Sequence, residues 1–319
     1  MRAIEVARFG GPEVLTPVDA PDPAPGPGQV VIDVAVADTL WLETRVRSGN
    51  GAPYFAVDLP YRPGVGVAGT VFTVGSGIAP QWIGKRVVAR TGHAGGGYAT
   101  RVLAGADGLV VVPDGVEAAD AAAVLHDGVT ALALLDIVPI NPGDRVLVTA
   151  AGGGMGAILV QLAKAEGATV VAAARGAAKL ERLRQLGADQ VVDYSEPGWT
   201  AAVEPVDAVL DGAGGEYGRA AFDLVKRGGR FSGHGTPAGG FAVADPELAR
   251  ARDVTATGIE QVQLSPQTYR GYLGSALAAL ETKRFVPLIG QVYALDDAAE
   301  AHRAIEERTA VGKTLLTVA

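Results

Sequence analysis

The stretch 145–168, RVLVTAAGGGMGAILVQLAKAEGA, constrains the fold more than any other part of the chain. A run of β-forming residues leads into a turn of small residues, and an apolar helix-forming segment follows. Gly153 and Gly156 have the spacing of the last two glycines in a dinucleotide fingerprint, and Ala150 takes the first position. Such a turn brings backbone N–H groups and a helix dipole up to a pyrophosphate. The pattern therefore predicts a dinucleotide site, although an ordinary glycine-rich turn is the alternative.

A backbone that approaches a pyrophosphate closely requires small side chains around it. The predicted cofactor contacts in this turn are Ala151, Gly153, Gly154, Met155 and Gly156.

The strand-like run that follows, ATVVAAA at 168–174, indicates which dinucleotide is bound. An NAD site usually has Asp or Glu about 20 residues past the glycines, but this run ends at Arg175 without an acidic residue. Arg175 and Lys179 are placed to hold a 2′-phosphate by charge, and Tyr194 can add a hydroxyl donor. The sequence thus predicts NADPH; the alternative is that these are solvated residues at a helix start.

The pattern of elements divides the chain into three stretches. Residues 1–121 carry short β-type runs separated by Gly- and Pro-rich turns, which predicts a mostly antiparallel β domain. Residues 122–261 alternate strands with helices, as a doubly wound parallel sheet of the Rossmann type does. Residues 262–319 contain a helix and a final strand, LLTVA, that suits a return to the first domain. We therefore expect an α/β fold in which the Rossmann domain is an insertion.

Composition excludes several classes of partner. The chain has no cysteine, so it has no disulfide and no thiolate metal site, and zinc is not expected. A net charge of -8 without long basic runs argues against nucleic acid, and no segment reaches the ~18 uninterrupted apolar residues of a membrane span. These features predict a cytoplasmic protein whose partners are small molecules.

Small-residue turns also follow the later strand-like runs. LDGAGG contains Asp211 and Gly212, and SGHGTPAGG contains His234 and Gly235. Because ligands of open parallel sheets lie across the carboxyl ends of the strands, these residues are predicted to line the nicotinamide half of the cofactor site. Plain turns are the alternative.

Taken in order, several motifs resemble the quinone oxidoreductase branch of the medium-chain dehydrogenase/reductase superfamily. They are MRAIEVARFGGPEVL, PGPGQVVIDV, LPYRPGVGVAGTVFTVGSG, NPGDRVLVTAAGGGMGAILVQLAK and AVGKTLLTV. The resemblance implies a GroES-like catalytic domain built from 1–121 and 262–319, an NADPH-binding Rossmann domain at 122–261, and a homodimer or tetramer, of which we predict the homodimer. The run VTATGIE is then expected to be an edge strand that pairs with its two-fold mate.

The same resemblance implies a reaction. Without zinc, the site suits hydride transfer from NADPH to a quinone or an α,β-unsaturated carbonyl compound. A pathway-specific enoyl or polyketide-intermediate reductase is one alternative. A protein that binds NADPH without turnover is the other.

Departures from the family pattern define the candidate substrate residues. Leu40 and Trp41 replace an Asn-Pro pair near the substrate, so Trp41 is either an aromatic pocket wall or a core residue. His126 and Asp127 are able to carry the proton that must follow the hydride, unless solvent supplies it or His126 only caps a helix. Tyr54 is placed to donate to a carbonyl or to line an apolar wall.

Two further family positions complete the prediction. Thr130, in a Thr-Ala pair, and Lys313, in the closing AVGK, are implied as cofactor contacts. The remaining histidines considered, His93 and His302, are interpreted as structural or surface residues.

Overall fold

The computed structural model describes residues 1–51, 56–91 and 95–318. The chain forms two compact units. The first contains Met1–His126, Pro266–Thr282 and Ile289–Ala319, and the second contains Asp127–Ser265 and Lys283–Leu288. The chain passes between them a few residues after each of the predicted divisions at 121 and 261.

Segment 283–288 belongs to the second unit, whereas the sequence placed all of 262–319 in the first. Its backbone is held by the Gln161 side chain, which donates to the Val286 carbonyl at 2.8 Å and accepts from the Val286 N–H at 3.0 Å. An ion pair between Arg284 and Glu166, at 2.7 Å, adds to this attachment. The contacts therefore explain why a short piece of the C-terminal stretch associates with the second unit.

The first part of the first unit contains mostly strands. In chain order, the strands and the two helices of this part are β1 (Arg2–Val6), β2 (Leu15–Asp19), β3 (Gln29–Asp38), α1 (Trp41–Arg47), β4 (Gly66–Val74), β5 (Arg86–Arg90), β6 (Arg101–Gly105), β7 (Val110–Val111) and α2 (Ala118–Val124).

The second unit alternates helices and strands. They are α3 (Asp127–Ile137), β8 (Arg145–Thr149), α4 (Gly154–Ala165), β9 (Thr169–Ala174), α5 (Ala177–Gln185), β10 (Gln190–Asp193), β11 (Val206–Asp211), α6 (Gly215–Asp223), β12 (Val225–Gly233), α7 (Pro246–Ala251) and β13 (Thr255–Gly258).

The C-terminal part returns to the first unit. It contains α8 (Pro266–Glu281), β14 (Ile289–Ala294), α9 (Ala298–Glu306) and β15 (Lys313–Thr317). Short 3-10 helices lie at Pro12–Val14, Pro80–Trp82, Ala106–Gly108, Trp199–Ala202, Ile259–Val262 and Leu295–Asp297.

The second unit is built on a six-stranded sheet in the order β10-β9-β8-β11-β12-β13, with every pair parallel. This is the Rossmann strand order, and its direction reverses between β8 and β11, where ligands of such sheets bind. Nearly every residue of β8, β9 and β11 is buried. Continuous burial is expected of a sheet covered by helices on both faces.

The first unit contains a mixed, largely antiparallel sheet in the order β14-β15-β3-β4-β5-β7, with β6 also pairing with β3. Only β14 and β15 run parallel, and β15 pairs antiparallel with β3, so the final strand joins the sheet built by the first part of the chain. The predicted α/β class, a Rossmann sheet together with a mostly antiparallel domain, is confirmed.

Candidate active site

The turn between β8 and α4 has the geometry of a phosphate-binding loop. Ala150 has a φ of 49°, in the left-handed region that favours glycine. Gly153 is the N-cap of α4 and makes no side-chain cap, although its N–H donates to the Ala150 carbonyl at 3.0 Å. The predicted contacts of this turn therefore surround the start of a twelve-residue helix, where anions bind.

Two glycines of this turn have different surroundings. A Cβ on Gly156 would lie 2.5 Å from the Ala150 carbonyl oxygen and 2.7 Å from the Ala151 Cα, so this position permits the close approach of α4 to the end of β8. A Cβ on Gly153 would meet nothing closer than 3.4 Å. Gly156 is therefore required for packing, whereas Gly153 leaves open space beside the helix start.

Two of the residues predicted to hold the 2′-phosphate, Arg175 and Tyr194, directly follow β9 and β10 and share the neighbour Tyr217. The Arg175 guanidinium donates to the Tyr217 hydroxyl at 3.3 Å, and the Tyr217 ring stacks on Tyr194 with centroids 4.6 Å apart. A Cβ on Gly152 would lie 2.8 Å from the Lys179 side chain, so this lysine crosses the glycine turn. Tyr217 was not predicted, because nothing in its own segment marks it as a partner of Arg175.

The carboxyl ends of β8, β11 and β12 bring four further predicted residues together. Asp211 accepts from the Thr149 hydroxyl at 2.5 Å and from the N–H groups of Ala213 and Gly214. Burial raises the pKa of Asp211. The N–H of Gly235 donates to the Asp211 carbonyl at 3.1 Å.

His234 is buried beside this turn. Its Nδ1 lies 3.2 Å from the Ser232 hydroxyl, and burial lowers the pKa of His234 to about 4. A Cβ on Gly212 would lie 3.4 Å from His234 Nε2. His234 is therefore neutral at physiological pH, and it lies beside Gly212, which follows β11 where the sheet order reverses.

The first unit contains a cavity of about 180 Å³ among the described residues. Its wall is mostly apolar and is built by Leu40 and Leu42 at the start of α1 and by the segment 61–65. Glu43, Arg90 and His126 supply polar groups. The cavity is smaller than the pockets that hold drug-sized molecules, which run from about 300 Å³ upward.

Of the two aromatic residues predicted on the substrate side, Trp41 and Tyr54, the structure describes Trp41. Trp41 is the first residue of α1, between the two leucines that line the cavity, and the Arg45 guanidinium lies 5.8 Å from its ring centroid. Tyr54 and His93 lie outside the described residues. Their roles stay predictions.

Three charged or titratable side chains form a buried row beside the cavity. His126 Nδ1 lies 2.6 Å from Asp38 Oδ2, and Lys313 Nζ lies 2.5 Å from Asp38 Oδ1. The carboxylate is fully buried, the lysine side chain is 5% exposed and the histidine is 16% exposed. Asp127, by contrast, is the first residue of α3 in the second unit, and Thr130 belongs to the same helix.

Sequence reasoning missed Asp38, because a lone acidic residue at the end of an apolar strand carries no motif. Lys313 was predicted as a cofactor contact. In the structure its ammonium pairs with Asp38 of the first unit.

A second buried network begins at Glu43. Its carboxylate accepts from the N–H groups of Leu40 and Gly64 and from the Tyr98 hydroxyl at 3.0 Å. The Tyr98 oxygen is also 3.0 Å from His302 Nε2. Burial raises the pKa of Glu43 to about 7 and lowers the pKa of His302 to about 3. His302 is thus a neutral structural residue, as the sequence predicted.

Within the described ranges, no three His, Cys, Asp or Glu side chains come together as a metal site. In the same ranges, no single helix is both long and apolar enough to cross a membrane; α2 and α3 satisfy that test only when counted as one span.

Comparison with known proteins places the chain. A family model described as zinc-binding dehydrogenase matches residues 186–316. The quinone oxidoreductase of Rattus norvegicus is 30% identical over 325 residues, which cover 99% of this chain and 97% of the relative.

Two solved structures extend the likeness to the whole fold. A mycobacterial protein in complex with NADPH has a TM-score of 0.87 and 32% identity, with 99% of each chain covered. The quinone oxidoreductase of Escherichia coli in complex with NADPH has a TM-score of 0.87 and 27% identity, covering 99% of this chain and 100% of the other. The chain therefore belongs to the quinone oxidoreductase family of the medium-chain dehydrogenase/reductase superfamily.

Proposed function

We propose that this chain is an NADPH-dependent reductase that transfers hydride to a quinone or an α,β-unsaturated carbonyl compound. The observation that carries the proposal is the second unit's cofactor site: an open helix start at the β8–α4 turn, with Arg175 directly after β9 and the Lys179 side chain of α5 beside Gly152. The relatives named above, including two with NADPH bound, support the same assignment.

The cofactor contacts are part of this proposal. The turn and the helix start would hold the pyrophosphate, and Arg175 and Lys179 would hold the 2′-phosphate, with Tyr194 as a further hydroxyl donor to it. The remaining proposed contacts are Thr130, Ala151, Gly153, Gly154, Met155, Gly156, Gly212, His234, Gly235 and Lys313. When bound, NADPH supplies the hydride, and the protein positions it and excludes water.

The acceptor belongs in the apolar cavity of the first unit. Quinones and enones accept hydride readily at an electron-poor carbon, so hydrogen-bond support at their oxygen is sufficient and a Lewis acid is not needed. The chain has no cysteine to serve as a zinc ligand. We propose Trp41, Tyr54, His126 and Asp127 as the substrate-side residues.

Purified protein mixed with NADPH and a panel of quinones and enones tests this function. We expect NADPH oxidation that depends on the acceptor, with quinol or the saturated carbonyl compound identified by mass spectrometry. Tight NADPH binding without turnover of any acceptor would instead support a non-catalytic NADPH-binding protein.

A second candidate is a reductase specific for an enoyl or polyketide intermediate. It is favoured by Leu40, an apolar residue of the cavity wall where the family commonly has an amide. Saturation of a C=C bond without quinol formation in the same panel would select this candidate.

We also propose that the chain forms a homodimer through β13. This strand is at one end of the six-stranded sheet, and its Thr255 and Ala256 are exposed. Pairing with a second copy would satisfy the open backbone groups of that edge. Light scattering is expected to give twice the monomer mass; a monomer alone would contradict the proposal. The cytoplasmic location stays a prediction.

A further inference from the structure

We propose that His126 donates the proton that completes the reduction, and that Asp38 and Lys313 are the positioning residues that hold it and set its acidity. This inference rests on the proposed function, because a hydride acceptor becomes anionic and needs a proton. It adds Asp38 to the reaction and gives Lys313, proposed above as a cofactor contact, a role in positioning His126.

The ring orientation of His126 is determined by buried contacts. Its Nδ1 faces Asp38 Oδ2 at 2.6 Å, so Nδ1–H donates to the carboxylate and Nε2 is the nitrogen available for exchange. Gly66 leaves room for the ring, since a Cβ there would lie 2.9 Å from His126 Cε1. His126 also lines the apolar cavity. The imidazole is thus fixed at the wall of the space where we place the acceptor.

Lys313 reduces the effect of the Asp38 negative charge on His126. A buried carboxylate with only His126 as a partner would stabilise the imidazolium strongly and make it a reluctant donor. Here the ammonium of Lys313, 2.5 Å from the other carboxylate oxygen, shares that negative charge. The Asp38 carboxylate, held between the two groups, therefore orients the imidazole.

Other charged and titratable groups face the same region. Glu43, Arg62, Arg90 and Tyr61 line the cavity with His126. The Tyr269 hydroxyl, from α8, donates to the carbonyl of the preceding residue, Leu125, at 2.5 Å, and Arg90 lies 4.8 Å from the Tyr269 ring centroid. Because burial raises the pKa of Glu43 to about 7, its titration must be separated from that of His126 in any pH profile.

An enone is reduced by one hydride and one proton. The hydride brings two electrons and forms a C–H bond at the β-carbon, and the π electrons of the C=C bond move to give the enolate. The proton of imidazolium Nε2 then forms a C–H bond at the α-carbon, and the neutral imidazole takes a proton from solvent. For a quinone, the hydride with its two electrons gives the quinol monoanion, and the same proton forms an O–H bond at the anionic oxygen.

The test is the pH dependence of kcat for wild type, Asp38→Asn and Lys313→Met, with an acceptor that the wild type reduces. We expect the limb assigned to the acid to move to lower pH in Asp38→Asn and to higher pH in Lys313→Met, by about one pH unit each. A structural role would reduce activity without moving the limb in opposite directions.

Controls separate folding from chemistry. Asp33→Asn removes another carboxylate of β3, one that pairs with Arg101 at 2.8 Å on the surface, and it should leave the profile unchanged. The double variant Asp38→Asn/Lys313→Met removes both buried charges together and keeps the region neutral, so it remains informative if a single variant does not fold. Its profile is expected to lie between those of the two single variants.

A second readout follows the proton itself. We expect His126→Gln to lower kcat by about 100-fold. With an enone in D₂O, the wild type should place deuterium on one face of the α-carbon, and His126→Gln should lose that selectivity.

Different results would contradict the role of His126, Asp38 and Lys313 and the reductase function itself. Retained selectivity in His126→Gln, or a limb that disappears in Glu43→Gln and stays unmoved in Asp38→Asn, would overturn the role of the row and leave the reductase function intact. Absence of turnover in the wild type would overturn both proposals.

Discussion

At the scale of single residues, Ala150 adopts a conformation that favours glycine. Its φ of 49° lies in the left-handed region, which costs about 1 kcal/mol or more for a residue with a Cβ. We expect Ala150→Gly to raise the free energy of unfolding by up to about 1 kcal/mol, because it relieves this cost. Thermal unfolding followed by circular dichroism measures the change.

The matched control for this variant is the neighbouring Ala151→Gly. Ala151 is fully buried and does not have a positive φ, so losing its methyl group should destabilise the protein by about 1 kcal/mol. Equal destabilisation by both variants would show that Ala150 is not strained.

Residues near one another in sequence were the easiest to predict. The β8–α4 turn is contiguous, so its small residues and flanking elements could be inferred from spacing alone. Asp38 and His126 are 88 positions apart, and Lys313 comes from the last strand, so only the folded sheet brings them together. The stacking of Tyr194 on Tyr217 was hidden for the same reason.

At the scale of elements, the β8–α4 turn contains one glycine needed for packing and one that leaves room for a ligand. A Cβ on Gly156 would collide with the backbone of Ala150 and Ala151, whereas one on Gly153 has room. We expect Gly156→Ala to lower the thermal midpoint and to abolish NADPH binding. Gly153→Ala should change stability little but weaken NADPH binding by about tenfold, or about 1.4 kcal/mol, because its methyl group occupies the phosphate side of the helix start.

Fluorescence titration with NADPH and thermal unfolding, performed on both variants, check this distinction. If Gly153→Ala bound NADPH as tightly as the wild type, the phosphate would not lie at the start of α4.

Elements with a regular hydrophobic pattern could be predicted from the sequence, whereas attachments that depend on tertiary contacts could not. Alternating apolar strands and amphipathic helices indicated a parallel sheet, which the structure contains. The attachment of 283–288 to the second unit depends on Gln161 and Arg284 side chains that pair across the fold, and no local pattern encodes it.

At the scale of the whole molecule, buried titratable groups couple stability to pH. Burial lowers the pKa of His234 in the second unit to about 4 and that of His302 in the first unit to about 3, from 6.5. Below pH 6.5 the unfolded chain takes up protons that the folded chain excludes, so these residues lower the free energy of unfolding as pH falls. Glu43 acts oppositely, since its raised pKa makes the folded chain bind a proton between about 7 and 4.5.

We therefore expect the thermal midpoint to fall between pH 6.5 and about pH 5, because two histidines outweigh one carboxyl group. His302→Gln should flatten this dependence and Glu43→Gln should steepen it. Thermal unfolding across this pH range, in buffers of matched ionic strength, measures both slopes. The reverse order of slopes would contradict the assignment of these buried groups.

The most direct measurement is kcat/KM for NADPH and for NADH with one quinone acceptor, on wild type, Arg175→Ala and the surface control Arg184→Ala. We expect a preference for NADPH of at least about tenfold, worth about 1.4 kcal/mol, in the wild type and in Arg184→Ala, and its loss in Arg175→Ala. Equal use of both cofactors by the wild type, or no turnover with either, would contradict an NADPH-dependent reductase.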